Sequence, residues 1–127
     1  MTKTEKRRKG SSELPLQIDR AIKAAEDKKA EDLVVLDLRK AIGFTDYFVI
    51  GSGSNPRQIR AIADAVIDAL AVDGARPAHV EGYERSEWIL LDYFDFVVHV
   101  FSPEMRLFYG LERLWGNAER IEVSAAH

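Results

Sequence analysis

Three short segments in the C-terminal half of the chain are predicted as strands, and they follow one another with almost no residues between them. They occupy residues 78–83, 87–93 and 96–101, and the second and third are rich in the β-branched and aromatic residues that are typical of strands. Strands joined by such short turns run antiparallel, because a parallel crossover needs roughly a dozen residues or more. The sequence therefore predicts three antiparallel neighbours in one sheet, and this restricts the possible folds more than any other pattern in the chain.

Helical spacing of apolar residues predicts three helices around these strands. The first covers residues 16–29, where several apolar residues fall on one face. The second begins at Pro56, with Asn55 as its cap, and ends near residues 73–74. Its buried stripe consists of Ile59, Ile62, Ala63, Val66 and Leu70. The third runs over residues 102–116 and is rich in aromatic residues.

Two further strands are predicted in the N-terminal half, over residues 33–38 and 47–50. We expect the second of them to end at the turn-forming stretch of residues 51–56. The order α-β-β-α-β-β-β-α predicts the fold class α/β (α+β), with a single mixed sheet of about five strands flanked by helices.

The chain of 127 residues is long enough for one core but not for two. Residues 1–14 are basic and polar, and we expect them to form a disordered leader. Residues 15–117 are predicted to form the domain, and residues 118–127 a short C-terminal tail.

The net charge of −3 is unevenly distributed, with +4 on residues 1–10 and −7 on the rest of the chain. An acidic body argues against a surface that follows nucleic-acid phosphates, and it favours a basic protein partner. A weak contact of the basic leader with RNA remains an option. The chain has no cysteine and no apolar stretch near the roughly 20 residues of a membrane span. No apolar segment follows the N-terminal charges, so we expect a cytoplasmic protein without membrane contacts.

The strand over residues 87–93 places an aromatic and an acidic residue on the same side. Side chains alternate along a strand, so Trp88, Leu90 and Asp92 share one face. An unpaired carboxylate is rarely buried, which favours that face as the solvent side and as the docking surface of a protein partner. The alternative is that helices cover this face as well, with Trp88 in the core and Asp92 near water at the strand end.

The loop at residues 51–54 lies between a strand and a helix, where phosphate-binding loops occur. It lacks the lysine of a P-loop and the third glycine of a dinucleotide fingerprint. A nucleotidyltransferase site needs two carboxylates two residues apart on a strand, but Asp64 has Val66 at that spacing and both lie on the predicted helix. His99, among valines, is predicted to be a packed structural residue. We therefore predict no catalytic residue, cofactor or metal site, and a protein that is not an enzyme.

Several short motifs stand in a characteristic order, at residues 44–50, 52–53, 57–58, 61–64, 81–82, 87–93, 97–101 and 108–115. In this order they resemble the ribosomal silencing factor family RsfS, also called Iojap. The resemblance implies a single α/β domain like that of a nucleotidyltransferase without its catalytic acids, in agreement with the missing carboxylate pair.

The resemblance also implies a function. Proteins of this kind bind the large ribosomal subunit through universal large-subunit ribosomal protein fourteen and sterically block joining of the small subunit, which represses translation when nutrients are limiting. One alternative is a large-subunit maturation factor without a silencing role, and another is a nucleotide-binding enzyme that uses the loop at residues 51–54. A homodimer off the ribosome is also consistent with the resemblance and with the apolar last helix.

The family's docking surface, carried over by resemblance, falls on Trp88, Leu90, Asp92 and Asp95, with Tyr93, Arg106 and Tyr109 as neighbours. The family usually has glycine in the turn at the position of Phe94, a residue that does not adopt positive φ cheaply. We expect either a different local turn or a contribution of Phe94 to the docking surface.

Overall fold

The structure, a computed structural model, describes residues 14–41 and 45–123. Nearly all of the predicted leader and the last four residues of the predicted tail lie outside these ranges. In chain order the elements are α1 (Leu16–Asp27), β1 (Glu31–Asp37), β2 (Tyr47–Ser52), α2 (Pro56–Ala71), β3 (His79–Glu81), β4 (Trp88–Asp92), β5 (Phe96–Phe101), α3 (Pro103–Tyr109), α4 (Leu111–Leu114) and β6 (Glu119–Glu122).

The described strands form one mixed sheet in the order β3-β4-β5-β2-β1-β6. The predicted antiparallel neighbours are confirmed, because β3 pairs with β4 and β4 with β5 in antiparallel register. The parallel pair is β2 with β5, whose connection contains α2 and the two strands β3 and β4. The sheet flanked by helices confirms the predicted α/β class.

The two faces of the sheet bury different amounts of apolar surface. Helices α1 and α2 cover one face with the larger core, in which the predicted stripe of α2 is buried throughout. Each fully buried leucine or isoleucine contributes about 2 kcal/mol of hydrophobic stabilisation. The opposite face carries a smaller cluster built on Phe48, Ile50 and Phe101, against which Met105, Leu111 and Trp115 pack as partly buried residues. This second face is only partly covered.

The start of α2 follows the predicted capping chemistry. Asn55 is extended, and its side chain accepts a hydrogen bond from the backbone N–H of Gln58 at 2.8 Å, with Pro56 in the first turn. The amide of Gln58 donates to the carbonyl oxygens of Lys28 and Lys29, each at 3.1 Å. The N-terminus of α2 is thereby tied to the C-terminal end of α1.

The structure differs from the predicted elements in three places. A sixth strand, β6, pairs antiparallel with β1 inside the segment predicted as a tail. Strand β2 continues to Ser52, because Gly51 lies close against Leu33 and pairs with Val100 of the adjacent strand. The single helix predicted over residues 102–116 is divided at Gly110, which adopts a φ of 56° and caps α3.

None of the helices in the described part of the chain is both long and apolar enough to cross a membrane.

Candidate functional site

The face shared by Trp88, Leu90 and Asp92 lies on the less covered side of the sheet. In register, these residues stand opposite Phe101, His99 and Val97 of β5. All three are half-buried, while Ile89 and Leu91 on the other face are fully buried. This face is therefore neither fully exposed nor fully covered by helices. Helix α3 covers the Trp88 end and leaves the Asp92 end open.

Trp88 is held in an aromatic cluster. Its ring stacks on Phe101 with centroids 4.8 Å apart and contacts the ring of Tyr109, from α3, at 4.5 Å. The indole N–H donates to Nδ1 of His99 at 3.0 Å. An aromatic residue whose polar atom is already satisfied can present its remaining ring surface to a partner at little entropic cost.

His99 is the buried acceptor behind this tryptophan, as expected for a packed structural residue. Its ring meets Phe48 edge to face at 4.6 Å, and its Nε2 has no hydrogen-bond partner among the described residues. Burial lowers the pKa of His99 to about 3, because the charged imidazolium would lose its hydration. The ring is therefore neutral at physiological pH. Nδ1 accepts the hydrogen bond from the indole N–H, and the proton of the ring is on Nε2.

The turn between β4 and β5 is built around Phe94, which has a φ of 72°. The backbone N–H of Asp95 donates to the carbonyl oxygen of Tyr93 at 2.9 Å, which closes a γ-turn of the rarer positive-φ form. The Asp92 carboxylate accepts from the backbone N–H of Phe94 at 2.8 Å. The chain thus retains a glycine-type conformation with phenylalanine in place.

The edge strand β3 extends the face beyond β4. His79 stands opposite Asp92, and Glu81 stands opposite Leu90, so their side chains lie on the same side as these residues. All of β3 is exposed. We define the β4 surface as the partly or fully exposed residues on this side: His79, Glu81, Trp88, Leu90, Asp92, Phe94, Asp95 and Tyr109.

Tyr93 and Arg106, also predicted as docking residues, lie away from the open part of the β4 surface. Tyr93 is buried on the opposite face, stacked on Phe96 at 5.0 Å, and burial raises the pKa of its hydroxyl to about 12. The guanidinium of Arg106 donates to Ser52 Oγ at 2.9 Å, to the Asp32 carbonyl at 2.7 Å and to the Glu112 carboxylate at 2.8 Å. Arg106 therefore fixes α3 and α4 to the sheet from inside.

The loop at residues 51–54 uses its own backbone donors. The N–H of Gly53 donates to the carbonyl oxygen of Phe101 at 3.0 Å, and the N–H of Ser54 donates to the side chain of Gln58 at 2.6 Å. Donors already engaged inside the fold are a poor cradle for phosphate oxygens. Asp64, the acid considered for a metal, accepts a hydrogen bond from the Tyr83 hydroxyl at 2.9 Å.

One exposed apolar feature lies outside the predicted docking residues. Leu107 and Phe108 of α3, and Leu114 of α4, are at least two-thirds exposed. The division at Gly110 turns these residues away from the sheet. Phe108 adjoins the β4 surface, because its ring contacts the ring of Tyr109 with centroids 5.0 Å apart.

The chain matches a known family over nearly its whole length. Residues 11–127 match the family RsfS, described as "Ribosomal silencing factor during starvation". A ribosomal silencing factor RsfS from Halalkalibacterium halodurans is 39% identical over 103 residues, which are 81% of this chain and 88% of that protein.

Two other proteins extend the comparison. A crystal structure of a protein from Chromobacterium violaceum superposes with a TM-score of 0.77 at 37% identity, covering 79% of this chain and 83% of that one. The mouse protein named "Mitochondrial assembly of ribosomal large subunit protein 1" is 31% identical over 101 residues, covering 77% of this chain and 44% of the mouse protein.

Proposed function

The chain belongs to the RsfS family of ribosomal silencing factors, and on that premise we propose that it represses translation by binding the large ribosomal subunit and blocking the small one. The contact is universal large-subunit ribosomal protein fourteen, and the nutrient-limited cell is the setting in which the block operates. The proposal rests on membership of the family. We propose the β4 surface as the part of the protein that contacts the ribosome.

The chemistry of the β4 surface suits a basic protein. Trp88 supplies a large apolar ring, and Asp92 and Asp95 supply carboxylates at the open end of the strand. Carboxylates at the rim of an apolar contact attract Lys and Arg of the partner and orient the encounter. The predicted contacts are accordingly Trp88, Leu90, Asp92, Asp95 and Tyr109, while Tyr93 and Arg106 act by supporting the surface from within.

The mechanism is occlusion. A domain seated on the subunit-joining face occupies the volume that the small subunit needs, so no bond has to be made or broken. This fits a fold whose nucleotide-like loop is closed by its own hydrogen bonds, and we propose that the protein is a binding factor and not an enzyme. We place its action in the cytoplasm, and we retain a weak RNA contact of the basic leader and a homodimer as predictions.

A second candidate function is assistance in large-subunit maturation without silencing. The name of the mouse relative, which refers to assembly of the mitochondrial ribosomal large subunit, favours it. The two functions differ in the preferred particle. A maturation factor binds immature large subunits more tightly than mature ones, whereas a silencing factor binds mature subunits and keeps them apart from small subunits.

The decisive experiment measures subunit joining on sucrose gradients at fixed magnesium, with and without added protein. We expect wild-type protein to leave large and small subunits separate, and Trp88→Ala and Asp95→Lys to restore joining. Val72→Glu is the matched control, since Val72 is an exposed apolar residue at the end of α2, on the other side of the sheet. Joining that proceeds equally with and without wild-type protein would overturn the proposal.

A further inference from the structure

Phe94 combines an unfavourable backbone conformation with an exposed aromatic side chain. Its φ is 72°, a region that residues with a side chain adopt only with backbone strain. Its side chain is nonetheless 72% exposed, so packing inside the protein does not repay this cost. Glycine would adopt the same turn without the penalty.

The conformation is imposed by contacts on both sides of the residue. The Asp92 carboxylate accepts from the Phe94 N–H at 2.8 Å, and the Thr45 hydroxyl donates to the Phe94 carbonyl oxygen at 2.9 Å. The γ-turn hydrogen bond from Asp95 to Tyr93 closes the turn between them. Because every backbone polar atom of the turn is fixed in this way, the ring of Phe94 projects from a rigid support.

Three acidic residues lie in or beside this turn. Asp92 precedes it on the half-buried face of β4, Asp95 follows it, and Asp46 is joined to the turn by a hydrogen bond from its backbone N–H to the carbonyl oxygen of Asp95 at 2.9 Å. Both Asp46 and Asp95 are exposed. The turn therefore presents one exposed apolar ring on a segment that also carries these acidic residues, here called the acidic rim, at the open end of the β4 surface.

We propose that Phe94 is a second aromatic anchor of the β4 surface, inserted into an apolar cleft of the protein partner whose edges carry Lys or Arg. The inference rests on the proposed function and extends it, since it assigns a contact residue and the chemistry of the site that receives it. A rigid aromatic side chain loses little entropy on docking. The acidic rim selects a basic partner surface by charge complementarity.

Replacing Phe94 separates docking from folding, because we expect the change to preserve or raise the stability of the protein and to lower its affinity for the large subunit. Phe94→Gly relieves the backbone strain, so we expect a melting temperature equal to or above that of the wild type. The same change removes the anchor, so we expect affinity for isolated large subunits, measured by co-sedimentation, to fall at least about tenfold. Phe94→Tyr keeps the ring and is expected to retain binding within about threefold.

Val72→Ala is the control, because it shortens an equally exposed apolar side chain on α2, away from the turn. If the Phe94→Gly variant binds like the wild type, the inference is overturned. If Trp88→Ala still abolishes binding in that case, the proposed function stands. Equal weakening by Phe94→Gly and Phe94→Tyr would also contradict an anchor, since the tyrosine preserves the ring. Loss of binding with Phe94→Gly but not with Val72→Ala or Phe94→Tyr would support it.

Discussion

The indole N–H of Trp88 donates to Nδ1 of His99 at 3.0 Å, so a buried imidazole on β5 fixes the ring that β4 presents to solvent. The two residues are not directly opposite in the antiparallel register, where Leu90 faces His99 and Phe101 faces Trp88. The tryptophan therefore lies across the strand toward its diagonal neighbour, with one ring face on Phe101. This hydrogen bond makes His99 a positioning residue for the β4 surface.

Removing the acceptor is expected to weaken docking without unfolding the protein. His99→Gln keeps an acceptor near Nδ1 and should bind large subunits within about threefold of wild type. His99→Leu leaves the indole N–H without its partner, a cost of about 1–3 kcal/mol shared between stability and the orientation of Trp88. In a Trp88→Phe background the same His99→Leu change should have no further effect on affinity, and an additional loss there would show that His99 acts by another route.

The stability of the fold is expected to fall as the pH drops below neutrality, because of His99. Its pKa is about 3 in the folded protein and about 6.5 in the unfolded chain, so between these values the unfolded state binds the additional proton. The contribution of His99 to the free energy of unfolding is therefore fully present about one pH unit above 6.5, and about 2 kcal/mol of it is lost between pH 7.5 and pH 5.

Urea unfolding at pH 7.5 and pH 5 measures this effect. Hydrogen bonds from arginine lower the pKa values of the Glu112 and Asp37 carboxyls below the unfolded values of 4.5 and 3.8, so the stability that these groups contribute is lost mainly below pH 5. His99→Gln removes the titrating group and should flatten the difference. An unchanged pH dependence in that variant would assign the effect to another residue.

Arg106 is expected to matter for stability more than its position on a surface helix suggests. Its side chain is 11% exposed and forms a two-pronged contact with Glu112, in addition to its bonds to β1 and β2. Arg106→Leu leaves the partly buried Glu112 carboxylate with only Arg120 at 3.5 Å, and the loss of the charged hydrogen bonds should cost about 2 kcal/mol of unfolding free energy. Arg106→Lys restores one charge but not the fork geometry, so it should recover only part of that loss in urea titrations.

The sequence was sufficient for elements defined by strong local chemistry. The cap and apolar stripe of α2, and the antiparallel order of β3, β4 and β5, follow from spacing alone and are confirmed. Strand β6 was missed because its residues are mostly charged and exposed, and it is strand only through pairing with β1. The break at Gly110 was missed because the apolar residues on both sides continued a helical composition.

The sequence predicted which residues of the candidate surface share a strand face, but not which side chains are in contact. Alternation along β4 places Trp88, Leu90 and Asp92 together, as the structure shows. It could not show that Arg106 is used internally, because its partners Ser52 and Asp32 are distant in sequence. Nor could it show that Phe94 retains a positive φ, which depends on Thr45 from a separate segment.

Gly82 offers a last test, because it couples the β3–β4 turn to the backbone of Trp88. It has a φ of 79°, and a Cβ at this position would overlap the carbonyl oxygen of Trp88. Gly74 has a similar φ of 83° with open space around it. Gly74→Ala should therefore cost only the backbone penalty of about 1 kcal/mol, measured as a change in unfolding free energy. Gly82→Ala should cost at least about 2 kcal/mol more and also weaken large-subunit binding, since β4 must shift to relieve the overlap. Equal costs for the two variants would mean that the backbone at Trp88 yields freely and that its position is not fixed from this side.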